Sequence, residues 1–243
     1  MAKSLRASVV VATYNGEKYI SEQLNSIIHQ LRPGDELIVT DDGSSDGTLD
    51  IVREMRADGI EVRILSGPKD GIISNFENGI QHASNEIIFL ADQDDVWSEN
   101  KVDTILSLFQ HDPGLSCVLH DVIVVDEKLD VTNASFFQYR NSRPGLIQNI
   151  IKNSFMGSAM AFRAEMRKYI LPIPREIAMH DQWIGLICSI FGKTNLLVEQ
   201  LGLYRRHDNN ASSFEHGSIA QMLHNRFVLL FYLINRYIKI HKV

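Results

Sequence analysis

Hydrophobic and polar positions alternate regularly through the first half of the chain. Short apolar runs at residues 7–12, 36–40, 61–65 and 86–91 are separated by segments whose apolar residues recur at helical spacing. This alternation is typical of repeated strand–helix units around a mainly parallel sheet. The pattern therefore predicts an α/β fold in which the four runs are strands of one sheet.

Three segments of the same half predict helices. Apolar residues at 19–31 and at 49–55 each fall on one helical face, and a further helix is predicted from about residue 98 to residue 110. Each of these segments follows a predicted strand, as the alternating pattern requires.

The alternation loosens after about residue 113. Beyond it, residues 115–125 predict a strand, residues 155–162 a strand of small side chains, and residues 181–191 an amphipathic helix. No internal repeat, low-complexity stretch or Pro/Gly/Ser-rich linker marks a domain boundary. With 243 residues and 44% hydrophobic content, the chain is expected to build one substantial core.

Charge and cysteine content narrow the class of protein. A formal net charge of -6 and a pI near 5.8 argue against nucleic acid as a partner, because binding it requires basic residues concentrated on one face. Cys117 and Cys188 stand among apolar residues without metal-like spacing, so we expect two buried, reduced thiols. Reduced thiols suit the cytoplasm, which is the expected location.

Three polar clusters follow predicted strands directly, at residues 12–17, 40–46 and 92–95. Ligands of open parallel sheets bind outside the carboxyl ends of the strands. The convergence of these clusters on one edge of the sheet predicts a ligand site there.

The last cluster contains three carboxylates in four positions. Asp92 and Asp94 can face the same way on extended backbone, where a divalent cation would offset their repulsion. Mg²⁺ or Mn²⁺ shared with a phosphorylated substrate suits so sparse a set of ligands. Two alternatives remain open: the aspartates cap the following helix, or Asp92 is the nucleophile of a phosphatase that uses a D-x-D-x-V string.

The cluster that begins at Asp41 has a similar choice of interpretations. Residues 41–48 can form a turn and a helix cap, but a strand end needs only one capping acceptor and two aspartates are present. A buried carboxylate there can instead accept a hydrogen bond from a pyrimidine imide, while Tyr14 stacks on the base. Together these residues predict a nucleotide pocket.

The order of these motifs resembles that of the family 2 inverting nucleotide-sugar glycosyltransferases. The matching strings are VVVATYNGE at 9–17, VTDDGSSDGT at 39–48, FLADQDDVW at 89–97, NSFMGSAMAFR at 153–163, MHDQW at 179–183 and YRRH at 204–207. The acidic cluster and the His-Asp-x-Trp segment look most like bacterial rhamnosyltransferase-type members. The resemblance implies a single GT-A type domain with a Rossmann-like, mainly parallel sheet flanked by helices.

By position, the resemblance also implies roles for individual side chains. It implies that Thr13, Tyr14, Glu17 and Asp42 bind the nucleoside and that Asp92 approaches the ribose and diphosphate. The metal, Mg²⁺ or Mn²⁺, would be bound by Asp94, with Asp95 as an auxiliary. Asp181 would be the catalytic base, and His207 would contact the metal or the diphosphate. Each role has a simpler alternative: Asp181 can be the N-cap of the helix 182–191, and His207 a surface histidine. His180 is interpreted as a positioning or packing residue rather than the base.

The chain departs from the family pattern at Ala12, where a proline often precedes the Thr-Tyr-Asn string, and at two further site positions. Phe76 stands where an arginine is common, so Lys69 or Asn75 would have to supply that diphosphate contact, and the usual Glu-Asp pair is His180-Asp181. Small residues at Gly157 and Ser158 would let backbone amides approach the acceptor or a phosphate.

The resemblance divides the chain into a catalytic domain and a tail. We expect a catalytic domain at residues 1–212, with a nucleotide-binding half at about 1–112 and an acceptor half at about 113–212, followed by an amphipathic helical tail at 213–243. The apolar run at 227–234 is flanked by basic residues and is too short to cross a bilayer. It either packs on the domain or on a second copy in a homodimer, or rests peripherally on the inner membrane face.

The resulting hypothesis is an inverting, metal-dependent and non-processive glycosyltransferase. It would move a sugar from a nucleotide-diphosphate sugar, such as dTDP-rhamnose or a UDP-hexose, to a glycan or lipid-linked acceptor in bacterial surface polysaccharide synthesis. Two other classes compete with it: a strand-terminal-aspartate phosphatase or nucleotidyltransferase, and a non-catalytic protein that binds sugar nucleotides.

Overall fold

The computed structural model describes residues 4–55, 59–208, 210 and 218–242. Nine strands form one sheet: β1 (Ala7–Thr13), β2 (Glu36–Asp41), β3 (Glu61–Ser66), β4 (Ile87–Asp92), β5 (Val96–Trp97), β6 (Leu115–Val125), β7 (Val131–Asn133), β8 (Met160–Arg163) and β9 (Lys193–Arg205). Helices cover its faces: α1 (Ile20–Ile28), α2 (Thr48–Glu54), α3 (Gly71–His82), α4 (Lys101–His111), α5 (Phe136–Arg140), α6 (Leu146–Ile151), α7 (Arg167–Ile170), α8 (His180–Phe191) and α9 (Ile219–His241). The predicted α/β fold is confirmed.

The first four strands form the parallel part of the sheet, in the order β3-β2-β1-β4. Every residue of β1 and β2 is buried, since helices cover both faces. Two apolar clusters result, one on each face: Val10, Ile38 and Phe76 belong to one, and Val9, Leu37 and Ile27 to the other. Successive strand residues thus supply opposite layers of the core.

The rest of the sheet is mixed. β8 pairs antiparallel with β4 and with β6, while β9 lies parallel to β6 and antiparallel to β5. The predicted strand at 155–162 is wrong in its first half: residues 157–159 form a 3-10 turn, and only β8 is extended. An Asx turn in which the Asn153 side chain accepts from the amide of Phe155 diverts the chain from the sheet toward the cavity described below.

β9 was not predicted at all, although its 13 residues form the longest strand. Its first half is largely exposed and lacks the period-2 pattern that indicates a strand. Its pairing with β5 places Arg205 next to the acidic cluster, so this strand completes the site from the far side of the sheet.

Helix α8 begins at His180 rather than at Asp181. Close packing of this helix depends on Gly185, where an added Cβ would lie 2.3 Å from the Phe155 ring. Contact at this distance is possible only without a side chain, so Gly185 sets how near α8 lies to the segment 153–157.

Helix α9 contacts the domain through Leu229 and Leu233, which are buried in the cluster that also contains Trp183. The predicted boundary at 212/213 lies outside the described residues. Among the helices that the structure describes, none is long and apolar enough to cross a membrane. Cys117 and Cys188 are both buried and free.

We expect Gly185→Ala to destabilise the protein by about 1–3 kcal/mol, because the new methyl group overpacks the Phe155 ring. A loss of stability would be informative, because replacing Gly by Ala at an unconstrained helix position stabilises a protein by about 1 kcal/mol. Urea unfolding would measure it. Gly114→Ala is the matched control, since an added Cβ there lies 3.4 Å from its nearest neighbour; an equal midpoint for both variants would contradict the packing role.

Candidate active site

A cavity of about 860 Å³ opens at the carboxyl ends of β1, β2 and β4. Six of the eight predicted site residues line it: Thr13, Tyr14, Asp42, Asp92, Asp94 and Asp181. These residues come from the nucleotide side of the sheet and from α8 in the second half of the chain. The fold therefore brings together carboxylates that are far apart in sequence.

Asp41 and Asp42, at the end of β2, have different roles. Asp41 is buried and builds the turn: its carboxylate accepts from the Thr13 hydroxyl at 3.0 Å and from the amides of Gly43 and Ser44. Asp42 lines the cavity, and its two oxygens accept from the amides of Lys69 (2.7 Å) and Gly71 (2.9 Å). The turn interpretation thus fits the first aspartate, and the second is fixed at the cavity wall.

Gln93 joins the loop after β1 to the acidic loop after β4 by two hydrogen bonds. Its side-chain amide accepts from the backbone N–H of Tyr14 at 2.9 Å and donates to the carbonyl of the same residue at 3.0 Å. A Cβ on Gly16 would lie 2.2 Å from the Gln93 oxygen, so glycine is required for this approach. The Tyr14 ring is left 58% exposed on the wall of the cavity.

The acidic loop is held by residues from β9 and from beyond its end. The Asp94 carboxylate lies 2.8 Å from His207 Nε2 and accepts from the Asn210 amide at 3.1 Å. Arg205 donates from its backbone N–H to Asp95 and from its guanidinium to the carbonyl of Asp94. These contacts orient the loop so that Asp94 faces the cavity.

A buried lysine lies behind the cluster. Lys101, the first residue of α4, is 1% exposed, donates to the Ser158 carbonyl at 2.7 Å and lies over the Trp97 ring. Burial lowers its pKa well below the usual range, against the opposing effects of Asp95 and Asp92. Burial favours the neutral amine and the two aspartates favour the ammonium form, so the charge of Lys101 is linked to theirs.

Negative charge is nevertheless in excess. Burial and the carboxylates of Asp95, Asp94 and Asp181 raise the pKa of Asp92 well above its ordinary value. The pKa of Asp95 is raised to about 7, first by burial and then by Asp94. Such crowding of like charges is characteristic of functional sites.

Asp181 lies across the cavity, in the first turn of α8. Burial raises the pKa of its carboxyl group to about 6, and hydrogen bonds from the Gln182 and Gly157 amides and the Asn153 side chain oppose this rise. The N-cap position is taken by Met179, and Asp181 is the second residue of the helix.

Phe76 and His180, two of the departures from the family pattern, are in contact. The His180 ring stacks on Phe76 with ring centroids 4.2 Å apart, and burial lowers its pKa to about 3, so the ring is neutral. Asn75 and Lys69 are the two suggested replacements for the missing arginine. The side-chain amide of Asn75 is already hydrogen-bonded to Thr13 and Thr40. Lys69 lines the cavity.

Two predicted site residues lie outside the cavity lining. The Glu17 carboxylate accepts from the Gly47 amide at 2.9 Å, and the His207 ring stacks on Tyr19 while contacting Asp94. Their roles in nucleotide and metal binding remain predictions. The described residues contain no group of three or more His, Cys, Asp or Glu side chains placed to hold a metal ion.

Sequence reasoning did not identify Gln93, Lys101 and Arg205. Arg205 lies inside the matching string YRRH, which could have indicated it, because an arginine at the end of a polar string is a ready partner for nearby carboxylates. Lys101 carries no such signal, since a lysine at a helix start is usually solvated.

A cavity at the carboxyl ends of parallel strands, lined by carboxylates from both halves of the chain, lies where open α/β sheets bind their ligands. A family profile described as Glycosyl transferase family 2 matches residues 8–170. The chain belongs to this family, and the family prediction is confirmed.

Two relatives illustrate the similarity. An uncharacterized glycosyltransferase of Nostoc sp. is 25% identical over 214 residues, covering 85% of this chain and 66% of the relative. A dTDP-rhamnosyl transferase of Shigella flexneri is 27% identical over 220 residues, covering 82% of this chain and 72% of the relative. The chain spans from about a tenth to two thirds of the length of four of the curated relatives that it matches.

Solved structures share the GT-A fold. S. aureus TarS residues 1–349 in complex with UDP-GlcNAc matches with a TM-score of 0.71 and 21% identity, covering 93% of this chain and 66% of that one. A mannosyltransferase of Pyrobaculum calidifontis in complex with GDP-Man and Mn²⁺ matches with a TM-score of 0.65 and 20% identity, covering 86% and 59%. At this identity the likeness concerns the fold.

The raised pKa of Asp181 predicts a pH effect on stability. Between the unfolded pKa of 3.8 and the folded pKa of about 6, the folded state holds the extra proton, so stability falls as pH rises through this window. We expect Asp181→Asn to remove this fall and to unfold at higher urea than the parent at pH 8, by about 3 kcal/mol.

Urea titrations at pH 4 and at pH 8 measure the difference between variant and parent, which contains the titration of Asp181 together with its effect on Asp92. Asp130→Asn, an exposed position, is the control and should follow the parent at both pH values. A difference that is the same at both pH values would contradict the assignment.

Proposed function

We propose that this domain catalyses inverting transfer of a sugar from a nucleotide-diphosphate sugar to a hydroxyl group of a glycan or lipid-linked acceptor. The observation that carries the proposal is the common cavity of Asp42, Asp94 and Asp181, which belong to three separate segments. Each faces a different part of the space that a sugar nucleotide and an acceptor would share.

The nucleoside end is assigned to the loops after β1 and β2. Tyr14 offers an exposed ring for stacking on a base, and Asp42 offers a carboxylate held rigidly by two backbone amides. A pyrimidine base with an imide N–H fits such an acceptor. dTDP-rhamnose or a UDP-hexose is the proposed sugar donor; a relative named as a dTDP-rhamnosyl transferase and a fold neighbour in complex with UDP-GlcNAc support this choice.

A divalent cation, Mg²⁺ or Mn²⁺, is proposed to be held by Asp94 and His207 beside the diphosphate. The residues fit it, because the surplus of buried carboxylates raises the pKa of Asp92 and Asp95 and a cation would offset that charge. Mg²⁺ usually takes only one or two protein carboxylates and completes its shell with phosphate oxygens and water. When bound, the ion would stabilise charge on the leaving diphosphate.

Asp181 is proposed as the base. Above pH 6 its carboxylate is ionised, so it can accept the proton of the acceptor hydroxyl as that oxygen bonds to the anomeric carbon and the bond to the diphosphate breaks. The Gly157 amide and Asn153 orient the carboxylate for this step. A positioned base contributes about 10²- to 10⁴-fold.

The setting follows from the same chemistry. Sugar nucleotides are made and used in the cytoplasm, and a bacterial surface polysaccharide or its lipid-linked precursor is the proposed acceptor. Transfer of one sugar per encounter is proposed, since the Gln-x-x-Arg-Trp string of processive synthases is absent from the sequence.

Asp181→Asn is expected to lower turnover about 10²- to 10⁴-fold while leaving affinity for the sugar donor within about twofold, because the amide cannot take the proton but keeps the shape of the cavity. Product formation by mass spectrometry and donor binding by calorimetry would measure the two effects. Asp130→Asn serves as the control. Turnover equal to that of the parent would remove Asp181 from the role of base.

Asp94→Ala is expected to abolish the part of donor binding that depends on Mn²⁺, since the carboxylate that would hold the ion is lost. Thermal shifts with UDP, with Mn²⁺ and with both would measure it. The parent should gain stability from the pair beyond the sum of the single additions, and the variant should not. Cooperative stabilisation that survives in the variant would place the metal elsewhere.

A further inference from the structure

Helix α9 is apolar on two faces, and only one of them is buried. Leu229 and Leu233 face the core, whereas the opposite face exposes Leu223 (60%), Phe227 (71%) and Ile234 (56%). The exposed large apolar residues of this helix are Ile219, Leu223, Phe227, Leu230, Phe231, Ile234, Tyr237 and Ile238. Their spacing of three and four residues forms one continuous stripe along the helix.

A second helix extends this stripe. Ile147 and Ile151 of α6 are 67% and 60% exposed, and the Arg226 guanidinium of α9 donates to the Ile151 carbonyl at 3.2 Å. The contact joins the two helices side by side. The exposed apolar residues of α6 and α9 together are called the α6–α9 surface below.

The two helices and the loop before α6 carry charges of one sign, and the acidic residue Glu176 contacts α9 at Tyr232 from a neighbouring segment. Residues 136–152 and 218–242 contain seven Lys or Arg and no Asp or Glu, in a chain that has 24 basic and 30 acidic residues overall. Lys152, Lys239 and Lys242 among these seven are exposed. A protein of net negative charge thus carries cations on the two helices that expose this apolar stripe.

We propose that the α6–α9 surface docks on an anionic lipid bilayer. A helix with an apolar face flanked by basic residues lies in the interface plane, with its apolar side chains among the acyl chains and its cations at the headgroups. A second copy is the less suitable occupant, because a two-fold pairing of this surface would set the cations of one chain against those of the other. An anionic membrane supplies the missing negative charge.

The surface lies next to the acceptor side of the cavity. Helix α6 runs directly into Asn153 and Phe155, which line the cavity, and Gln182, beside Asp181, donates to the Asn149 carbonyl at 3.0 Å. This inference deepens the proposed function and rests on it in one respect: docking would bring Asp181 close to the membrane, so the acceptor would be a saccharide carried on a lipid.

Vesicle flotation of the full chain tests the docking. We expect flotation with vesicles of phosphatidylglycerol and phosphatidylcholine, little with phosphatidylcholine alone, and release by high salt. Phe227→Glu combined with Ile234→Glu should abolish it. The matched control, Val131→Glu with Val198→Glu, adds the same charge at exposed apolar positions of β7 and β9 and should float like the parent.

A second variant tests whether binding to the vesicles requires positive charge. Lys239→Gln with Lys242→Gln keeps the apolar stripe and should weaken binding to the anionic vesicles about fivefold for each lysine. Failure of the parent to float, or equal loss in the β7/β9 control, overturns the proposal. So does a parent dimer that Phe227→Glu with Ile234→Glu splits in light scattering while no vesicle binding is found, since a second copy would then cover the surface.

The thermal shift with UDP and Mn²⁺ separates this proposal from the function on which it rests. If the parent fails to float but keeps that shift, the membrane surface is wrong and the sugar-nucleotide site stands. If it floats but shows no shift, the docking stands and the proposed function fails.

Discussion

The structure depends on the crowding of carboxylates at the end of β4. Asp92, Asp94 and Asp95 lie close together with Asp181 opposite, and burial together with the neighbouring carboxylates raises the pKa of Asp92 and Asp95. Burying like charges lowers stability unless other groups offset them. The neighbouring elements are best understood by how they make this crowding tolerable.

Two basic side chains from different directions lie against this cluster. Lys101 comes from α4, which follows the acidic loop, and Arg205 comes from β9, more than a hundred residues later. Arg205 lies beside the loop because β5 pairs antiparallel with β9. The mixed part of the sheet therefore serves the site, because it returns the chain to a charge cluster that the parallel part created.

How far the sequence predicts this arrangement depends on which physical signal each part carries. The strands β1, β2 and β4 are almost wholly buried, so they appear as apolar runs; together with the partly exposed β3 they were predicted within one residue at either end. The aspartates at their ends were placed at the cavity for the same reason. β9 lacks such a signal, because its first half is exposed and its partners are distant in sequence.

Side chains that act through geometry were harder to predict than those that carry a motif. Gln93 looks like a spacer between two aspartates, yet it pairs with both backbone groups of Tyr14. Lys101 looks like a solvated lysine at a helix start. Only the register of the folded sheet reveals that these residues fix the loop on which the predicted metal and diphosphate contacts lie.

The exchanges at Phe76 and His180 are best explained as one change. Where the family pattern has an arginine and a glutamate, this chain stacks a phenyl ring on an imidazole that burial keeps neutral. No charge is then placed directly beside Asp181, so burial alone dominates and the pKa of its carboxyl group remains at about 6. A base serves best when its pKa lies near the operating pH, and in the role proposed for Asp181 the neighbouring apolar stack would keep the pKa of its carboxyl group there.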